Sequence, residues 1–263
     1  MLSSSTSISS LKGRIIGREI IFYEETISTN DDVLRLSKDD RYAEGLVVVA
    51  DSQKAGKGRH GRRWFSPPGV NLYFTILLRP SILPQKATLL SLMAAVATAN
   101  AIKRDTGIHA SIKWPNDIMI GDKKVGGILL EMRSKKGGID AIAVGIGLNV
   151  NIPPDMFPEE IKEKTTSLKE FTGAEINRYE LLGRILNEMD HLYDEFLKGD
   201  SKRMIDEWLI LNSTTGHVVV VQLMGGRQIE GVAETIDEDG DLIIRLASGD
   251  LEKISAGDVT LLR

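Results

Sequence analysis

Beyond Asn212 the chain breaks into apolar stretches too short for anything but strands. His217–Leu223, Gln228–Ile236, Leu242–Leu246 and the segment near Leu251–Ile254 are divided by Gly225-Gly226, Asp239-Gly240-Asp241 and Ser248-Gly249-Asp250. Strands this short between turns this regular predict a small β barrel of about 50 residues. The boundary falls at Leu211 to Thr215, giving domains 1–211 and 212–263.

Upstream the pattern is mixed. Ile15–Glu24 reads as a strand and runs into Ser28-Thr29-Asn30-Asp31-Asp32, capping residues with acids placed for a first helical turn. Gly45–Ala50 and Asn71–Arg79 read as strands. Ala87–Arg104 has helical spacing and ends at Gly107, a C-cap residue. Ile108–Lys113 resumes strand character, and Ile118–Met132 folds into a hairpin about Gly121-Asp122-Lys123. Ile139–Val150 is a further strand, followed by helices from Asn177 to about Leu197 and from Ser201 to Leu211. The whole is α+β, a mixed β-sheet with flanking helices, without internal repeats.

The stretch Gln53-Lys-Ala-Gly-Lys-Gly-Arg-His-Gly-Arg-Arg-Trp64 joins Lys54, Lys57, Arg59, Arg62 and Arg63 with Gly56, Gly58 and Gly61, and holds no acid. The chain as a whole carries a formal net charge of -4. A basic, glycine-jointed loop on an acidic protein is built to meet an anion. It is not a Walker A loop, since no Gly-Lys-Ser/Thr follows the required spacer; a solvated turn or a nucleic-acid contact would also account for it alone. Lys113-Trp-Pro-Asn-Asp117, Lys123-Lys124-Val-Gly-Gly127 and Gly145-Ile-Gly-Leu-Asn149 follow. Pro115 pins the first as a turn leaving a strand. The lysine pair by itself reads equally as solvated, and a glycine-spaced strand end lets a flat ligand lie near the backbone.

There is no cysteine, which excludes disulfides, thiolate metal sites and cysteine nucleophiles and suits a cytoplasmic protein. Leu89–Ile102 is the nearest approach to a membrane span, and Ser91, Thr98 and Asn100 interrupt it. Met1–Ser10 reads as a frayed terminus, with a short transit peptide as the other reading. His60, His109, His191 and His217 form no metal or triad pattern.

In their order and spacing, Ser28-Thr-Asn30, Gln53–Trp64, Lys113–Asp117, Lys124–Gly127 and Gly145–Asn149 resemble the biotin protein ligases. The resemblance runs from about Ile20 to Val150 and more loosely through the C-terminal barrel. It implies a class II synthetase-like catalytic domain and an SH3-like barrel. The implied reaction is activation of biotin by ATP, with Mg2+, to biotinyl-5'-AMP, then transfer to a lysine of a biotin carboxyl carrier domain of acetyl-CoA carboxylase or a related enzyme. Arg59, Lys124 and Asp117 would be catalytic. Ser28, Thr29, Asn30, Gln53, Lys57, Gly58, Arg59, Lys124 and Gly127 would hold biotin, and Arg59, Arg62, Trp64, Lys113, Asn116 and Asn149 the nucleotide. The Mg2+ ligands are not identified. Lys57 departs from the Gly-Arg-Gly-Arg loop usual in these enzymes, keeping the charge without the guanidinium fork. About 15 residues precede the first strand, too few for the helix-turn-helix of repressor relatives, so specific DNA binding is not expected; a homodimer is left open. The rival readings are a lipoate protein ligase and a non-catalytic nucleic-acid-binding module.

Overall fold

The computed structural model describes residues 11, 13–135 and 138–262, so the reading of Met1–Ser10 lies outside the described residues. Seven strands form the main sheet: β1 (Ile20–Thr26), β2 (Val47–Gln53), β3 (Leu72–Leu78), β4 (Ser111–Lys113), β5 (Asp117–Ile120), β6 (Lys123–Lys135) and β7 (Gly138–Leu148). Their spatial order is β1-β2-β3-β7-β6-β5-β4. Only β1 and β2 run parallel; the other neighbours are antiparallel, so the sheet is mixed.

Alternate residues of the central strands point to opposite faces. Leu72, Phe74, Ile76 and Leu78 join Val144, Ile146 and Leu148 in the main core. That face is covered by α2 (Ala87–Thr106), with α5 (Arg178–Leu197) and α6 (Lys202–Leu211) packed on it. Helix α2 is buried over most of its surface, which is why its apolar residues run round the helix rather than along one stripe. Gly107 ends it at φ 75, where a Cβ would be strained. Asn177 caps α5, its Oδ1 accepting from the N–H groups of Tyr179 (3.1 Å) and Glu180 (3.3 Å). The opposite face carries a smaller core under α1 (Thr29–Leu36), made of Val33, Leu36, Val48, Leu77, Ala141 and Ala143. Beyond α1, that face is left for the site. No helix among the described residues is long and apolar enough to cross a membrane.

The first strand begins at Ile20 rather than Ile15. Asp190, buried on α5, accepts from the backbone N–H groups of Arg14 (2.8 Å), Ile15 (2.7 Å) and Ile16 (2.8 Å). Three amides committed to one carboxylate leave no donors there for a ladder. Two short helices, α3 (Glu159–Lys162) and α4 (Leu168–Thr172), fill a stretch in which the sequence gives no periodic signal.

The C-terminal unit is an antiparallel five-stranded sheet, order β11-β10-β9-β8-β12, from β8 (Val218–Gln222), β9 (Gln228–Ile236), β10 (Leu242–Arg245), β11 (Leu251–Ile254) and β12 (Asp258–Leu261). Four of these match the expected strands; β12 is additional. Its turn at Asp237–Asp241 docks on the larger unit, where Trp114 Nε1 donates to Gly240 O at 3.1 Å. Lys253 Nζ gathers Asp237 (2.6 Å), Asp239 (3.3 Å) and Asp241 (3.2 Å), offsetting the repulsion within that turn.

Replacing Asp190 with Ala strands the three amides of residues 14–16. Hydrogen bonds to a charged group contribute about 1.5–3 kcal/mol each and are not additive, so a loss of about 2–4 kcal/mol is expected. Urea unfolding should show a lower midpoint at unchanged slope.

Candidate active site

The site lies on the sheet face opposite α2. Thr75 on β3 pairs directly with Gly145 on β7, which pairs with Leu129 on β6. Two residues along, Tyr73, Gly147 and Gly127 form the parallel row on the same face. The glycines matter for what lies over them. A Cβ on Gly147 would stand 2.5 Å from Trp64 Nε1, and one on Gly127 would stand 3.3 Å from Trp64 Cζ3. A Cβ on Gly145 would stand 2.1 Å from Asn30 Oδ1. The expectation that these glycines admit a flat ligand therefore needs correction. The flat group over Gly127 and Gly147 is the protein's own indole, and the amide over Gly145 is Asn30.

One cavity of about 280 Å³ is lined by every residue that the resemblance assigns to the site: Ser28, Thr29, Asn30, Gln53, Lys57, Gly58, Arg59, Arg62, Trp64, Lys113, Asn116, Asp117, Lys124, Gly127 and Asn149. It is also lined by Phe157, Ile161, Thr165, Asp258 and Val259, which sequence reasoning missed. No motif marks these five. Asp258 and Val259 sit on β12, the strand that was not foreseen.

One end of the cavity is uncharged. Ser28 takes the N-cap position of α1 with extended backbone, but its hydroxyl makes no capping bond. Thr29 donates through its N–H to Gln53 Oε1 at 3.0 Å, and Gln53 Nε2 donates to Ser66 Oγ at 3.0 Å. Asn30 donates through Nδ2 to Leu129 O (3.3 Å) and Glu131 Oε2 (2.9 Å), so both its N–H groups are taken by the protein.

The other end is cationic, and its cations rest on carboxylates. Lys57 pairs with Asp31 and with Glu131 at 3.1 Å. Burial pulls its pKa down, but these two partners outweigh burial and hold it above the ordinary lysine value. Arg59 donates to Asn116 Oδ1 (3.3 Å) and Gly257 O (3.1 Å) and lies 3.5 Å from Asp258. Burial shifts its pKa down. Arg62 also pairs with Asp258, so the C-terminal unit grips the basic loop. Between them His60 adopts φ 55, the one non-glycine left-handed residue among those described.

Lys124 pairs with Asp117 at 2.5 Å and stands 5.4 Å above the Trp64 ring. The sequence suggests an exposed hairpin lysine, yet its side chain is only 31% exposed. The reason is local: its N–H donates to Lys164 O (2.9 Å) and its O accepts from the N–H of Thr166 (3.0 Å), drawing the hairpin under the segment after β7. Lys113 is the most strongly desolvated lysine of the site. Burial lowers its pKa, with Lys124 and Arg62 adding to the effect and Asp117 and Asp258 opposing it. Asn116 and Asn149 line the cavity but spend their amides on the fold. Asn116 Nδ2 donates to Ile128 O (2.7 Å), and Asn149 Nδ2 donates to Thr166 O (3.1 Å) while its Oδ1 accepts from Asn71 (3.4 Å).

A neutral, directional socket leading into a cluster of cations is what an enzyme needs to seat an uncharged head group and bring its carboxylate against a phosphate. The arrangement defines an acid-activating ligase. Residues 23–150 match the model of the Biotin/lipoate A/B protein ligase family, and residues 216–262 match the Biotin protein ligase C terminal domain. The Bifunctional ligase/repressor BirA of Bacillus subtilis is 34% identical over 260 residues, covering 99% of this chain and 79% of that one. The Biotin--[acetyl-CoA-carboxylase] ligase of Mycobacterium tuberculosis is 30% identical, covering 97% of this chain and 95% of that one. The biotin protein ligase of Aquifex aeolicus in complex with biotin and ATP superposes with a TM-score of 0.79 at 31% identity, covering 94% of this chain and 99% of that one. The chain belongs to the biotin protein ligase family.

Asp258→Ala should release Arg59 and Arg62 from the C-terminal unit. Part of this contact is solvent-screened, so the expected effect is a rise of about three- to tenfold in the KM for ATP, with a smaller change in the KM for biotin. Steady-state kinetics with each substrate varied in turn checks it.

Proposed function

We infer that this chain is a biotin–[biotin carboxyl-carrier protein] ligase, EC 6.3.4.15. It activates biotin with ATP to biotinyl-5'-AMP and transfers biotin to a lysine of the carrier domain of a biotin-dependent carboxylase. The observation that carries this is one cavity lined both by the neutral hydrogen-bonding groups of Ser28, Thr29 and Gln53 and by the cations Arg59, Lys57, Lys113 and Lys124. Relatives named biotin--[acetyl-CoA-carboxylase] ligase, and a similar structure holding biotin and ATP, support the same choice. The lipoate reading is not favoured: a dithiolane ring offers nothing for the hydrogen-bonding groups of Ser28, Thr29 and Gln53 to match.

In the first step the biotin carboxylate attacks the α-phosphate and pyrophosphate leaves. Two like charges 4 Å apart repel by about 4 kcal/mol at an effective dielectric of 20. Arg59 and Lys124 are positioned to offset that repulsion as the negative charge gathers. Lys124 would exchange its partner: it leaves Asp117 when a phosphate arrives. Asp117, so released, then orients the acceptor amine and takes its proton as nitrogen bonds to the acyl carbon and AMP departs. Trp64, which lies across Gly127 and Gly147 with Lys124 on its face, walls the adenylate.

No group of three or more Asp, Glu, His or Cys among the described residues converges to hold a metal, and Asp117 and Asp258 are already paired with cations. The site residues do not make a resident metal centre, so Mg2+ enters this reading only as the counter-ion of ATP. The reading extends to a cytoplasmic enzyme, acting where ATP and newly made carboxylases meet, without specific DNA binding.

The test is incubation with biotin, ATP, Mg2+ and a carrier domain, followed by intact mass measurement. One biotin per domain is expected, and none after lysine-to-arginine substitution of the acceptor residue. Lys124→Ala should slow biotinyl-AMP formation about ten- to a hundredfold, the value of one charge-assisted contact, while Tm moves by a few degrees at most because the Asp117 carboxylate it leaves is itself partly open to solvent.

Lys113 gives a pH signature. Burial makes it release its proton below the ordinary lysine pKa, and a phosphate beside it would raise that pKa again. Binding of ATP is therefore expected to take up protons in alkaline buffer, between the lowered and restored values. Calorimetry in buffers of different ionisation enthalpy measures the uptake; Lys113→Met should remove it, and equal uptake by both proteins would exclude Lys113 as its source.

A further inference from the structure

We propose that Thr75, which stands behind the cavity wall, is a positioning residue for the ureido ring of biotin. Its hydroxyl sets the direction of the hydrogen bonds that present Thr29 and Gln53. This rests on the functional reading above and deepens it.

Thr75 is fully buried in β3, level with Gly145 and Leu129, and the side chain of Asn30 lies over that row. The Asn30 nitrogen faces Leu129 O and the Glu131 carboxylate, both acceptors, so the identity of that end is fixed by its partners. Its Oδ1 must therefore receive a proton, and Thr75 Oγ1 is the donor 2.7 Å away. A hydroxyl has one proton to give. Thr75 Oγ1 also lies 2.8 Å from Thr29 Oγ1, and with its proton committed to Asn30 it can only accept there. Thr29 thus turns its proton toward Thr75 rather than toward Gln53 Oε1, the longer contact at 3.2 Å.

The consequence reaches the ligand. Gln53 Oε1, accepting only from the Thr29 N–H, keeps a free lone pair. Gln53 Nε2, bonded to Ser66, keeps a free N–H. Thr29 Oγ1 keeps a lone pair. Two acceptors and one donor are the complement of a cyclic urea, which carries two N–H groups and one carbonyl. Without the Thr75 hydroxyl, Asn30 Oδ1 loses its donor and the Thr29 proton swings to Gln53, consuming an acceptor meant for the ligand. Asn30 has no room to adjust by sinking, since it already rests against the backbone of Gly145.

The experiment uses Thr75→Val, which keeps the shape and removes the hydroxyl, and Thr75→Ser, which keeps the hydroxyl. Thr75→Ala replaces the valine variant if that one does not fold. Biotin and desthiobiotin binding is measured by calorimetry, and biotin transfer by steady-state kinetics. Loss of the hydroxyl should raise the biotin KM by about ten- to a hundredfold. Desthiobiotin, which has the ureido ring without the sulfur, should weaken equally. The kcat and the KM for ATP should stay within about twofold of wild type, and Thr75→Ser should restore biotin binding. A valine variant with wild-type biotin KM overturns the proposal. So does one in which kcat falls and both KM values rise together without rescue by serine, which would mark a merely structural role. Wild-type enzyme that binds no biotin would overturn the functional reading itself, and this proposal with it.

Discussion

The site depends on a sheet face from which side chains have been removed. Across β3, β7 and β6 the two rows Thr75–Gly145–Leu129 and Tyr73–Gly147–Gly127 leave the backbone bare at three places. Asn30 over Gly145 and Trp64 over Gly147 settle at distances no Cβ would tolerate, and Trp64 leaves only a tight fit at Gly127. The opposite face of the same strands is packed continuously against α2, so the glycines cost little in core burial. Strand alternation thus lets one set of residues build the core and the next build the site. Cofolding of the two is unavoidable: a one-residue slip of β7 would exchange Gly145 and Gly147 for Val144, Ile146 or Leu148 and fill the site.

On this floor the electrostatics follow one pattern: four of the cations lining the cavity are paired with the protein's own carboxylates. Lys57 has Asp31 and Glu131, Lys124 has Asp117, and Arg59 and Arg62 share Asp258. Unpaired, these like charges would repel one another and spread the loop. Paired, they stay close together in the free enzyme, and an arriving polyanion competes for cations already in place. Lys113, like Arg63, falls outside this pattern. Among the described residues it has no carboxylate within ion-pair distance, and burial is the largest cause of its lowered pKa. It is therefore the cation with most to gain from a phosphate.

Much of this was legible in the sequence, and the reason is that the site is built from contiguous motifs at strand ends. Glycine spacing, the basic loop and the Lys113–Asp117 turn each carry their signal locally, and topology merely brings them together. What could not be read is what depends on distant partners. Asp190 takes the amides of residues 14–16 across a sequence separation of 174 to 176 residues, and so delays the first strand. Asp258 reaches Arg59 and Arg62 from a four-residue strand without a recognisable pattern. Asn149, which the resemblance assigns to the nucleotide, also ties Asn71 to Thr166 through its side-chain amide. Polar residues beside a site serve either the ligand or the fold, and only their partners distinguish the two.

Lys57 shows how such partners change the meaning of a residue. Read as a string, a lysine in place of the arginine usual in this loop loses a planar fork and so loses grip on an anion. In the fold its ammonium sits between two carboxylates, Asp31 on α1 and Glu131 on β6, a position that asks for a compact charge with several rotatable donors. Glu131 is also the acceptor that fixes the nitrogen of Asn30. Lys57 donates to that same carboxylate, and the Asn30 nitrogen held there leaves Oδ1 turned toward Thr75. The basic loop and the neutral socket are therefore one hydrogen-bonded system. The loop's departure from the family pattern falls at the point where that system needs a counter-ion more than it needs a second grip on phosphate.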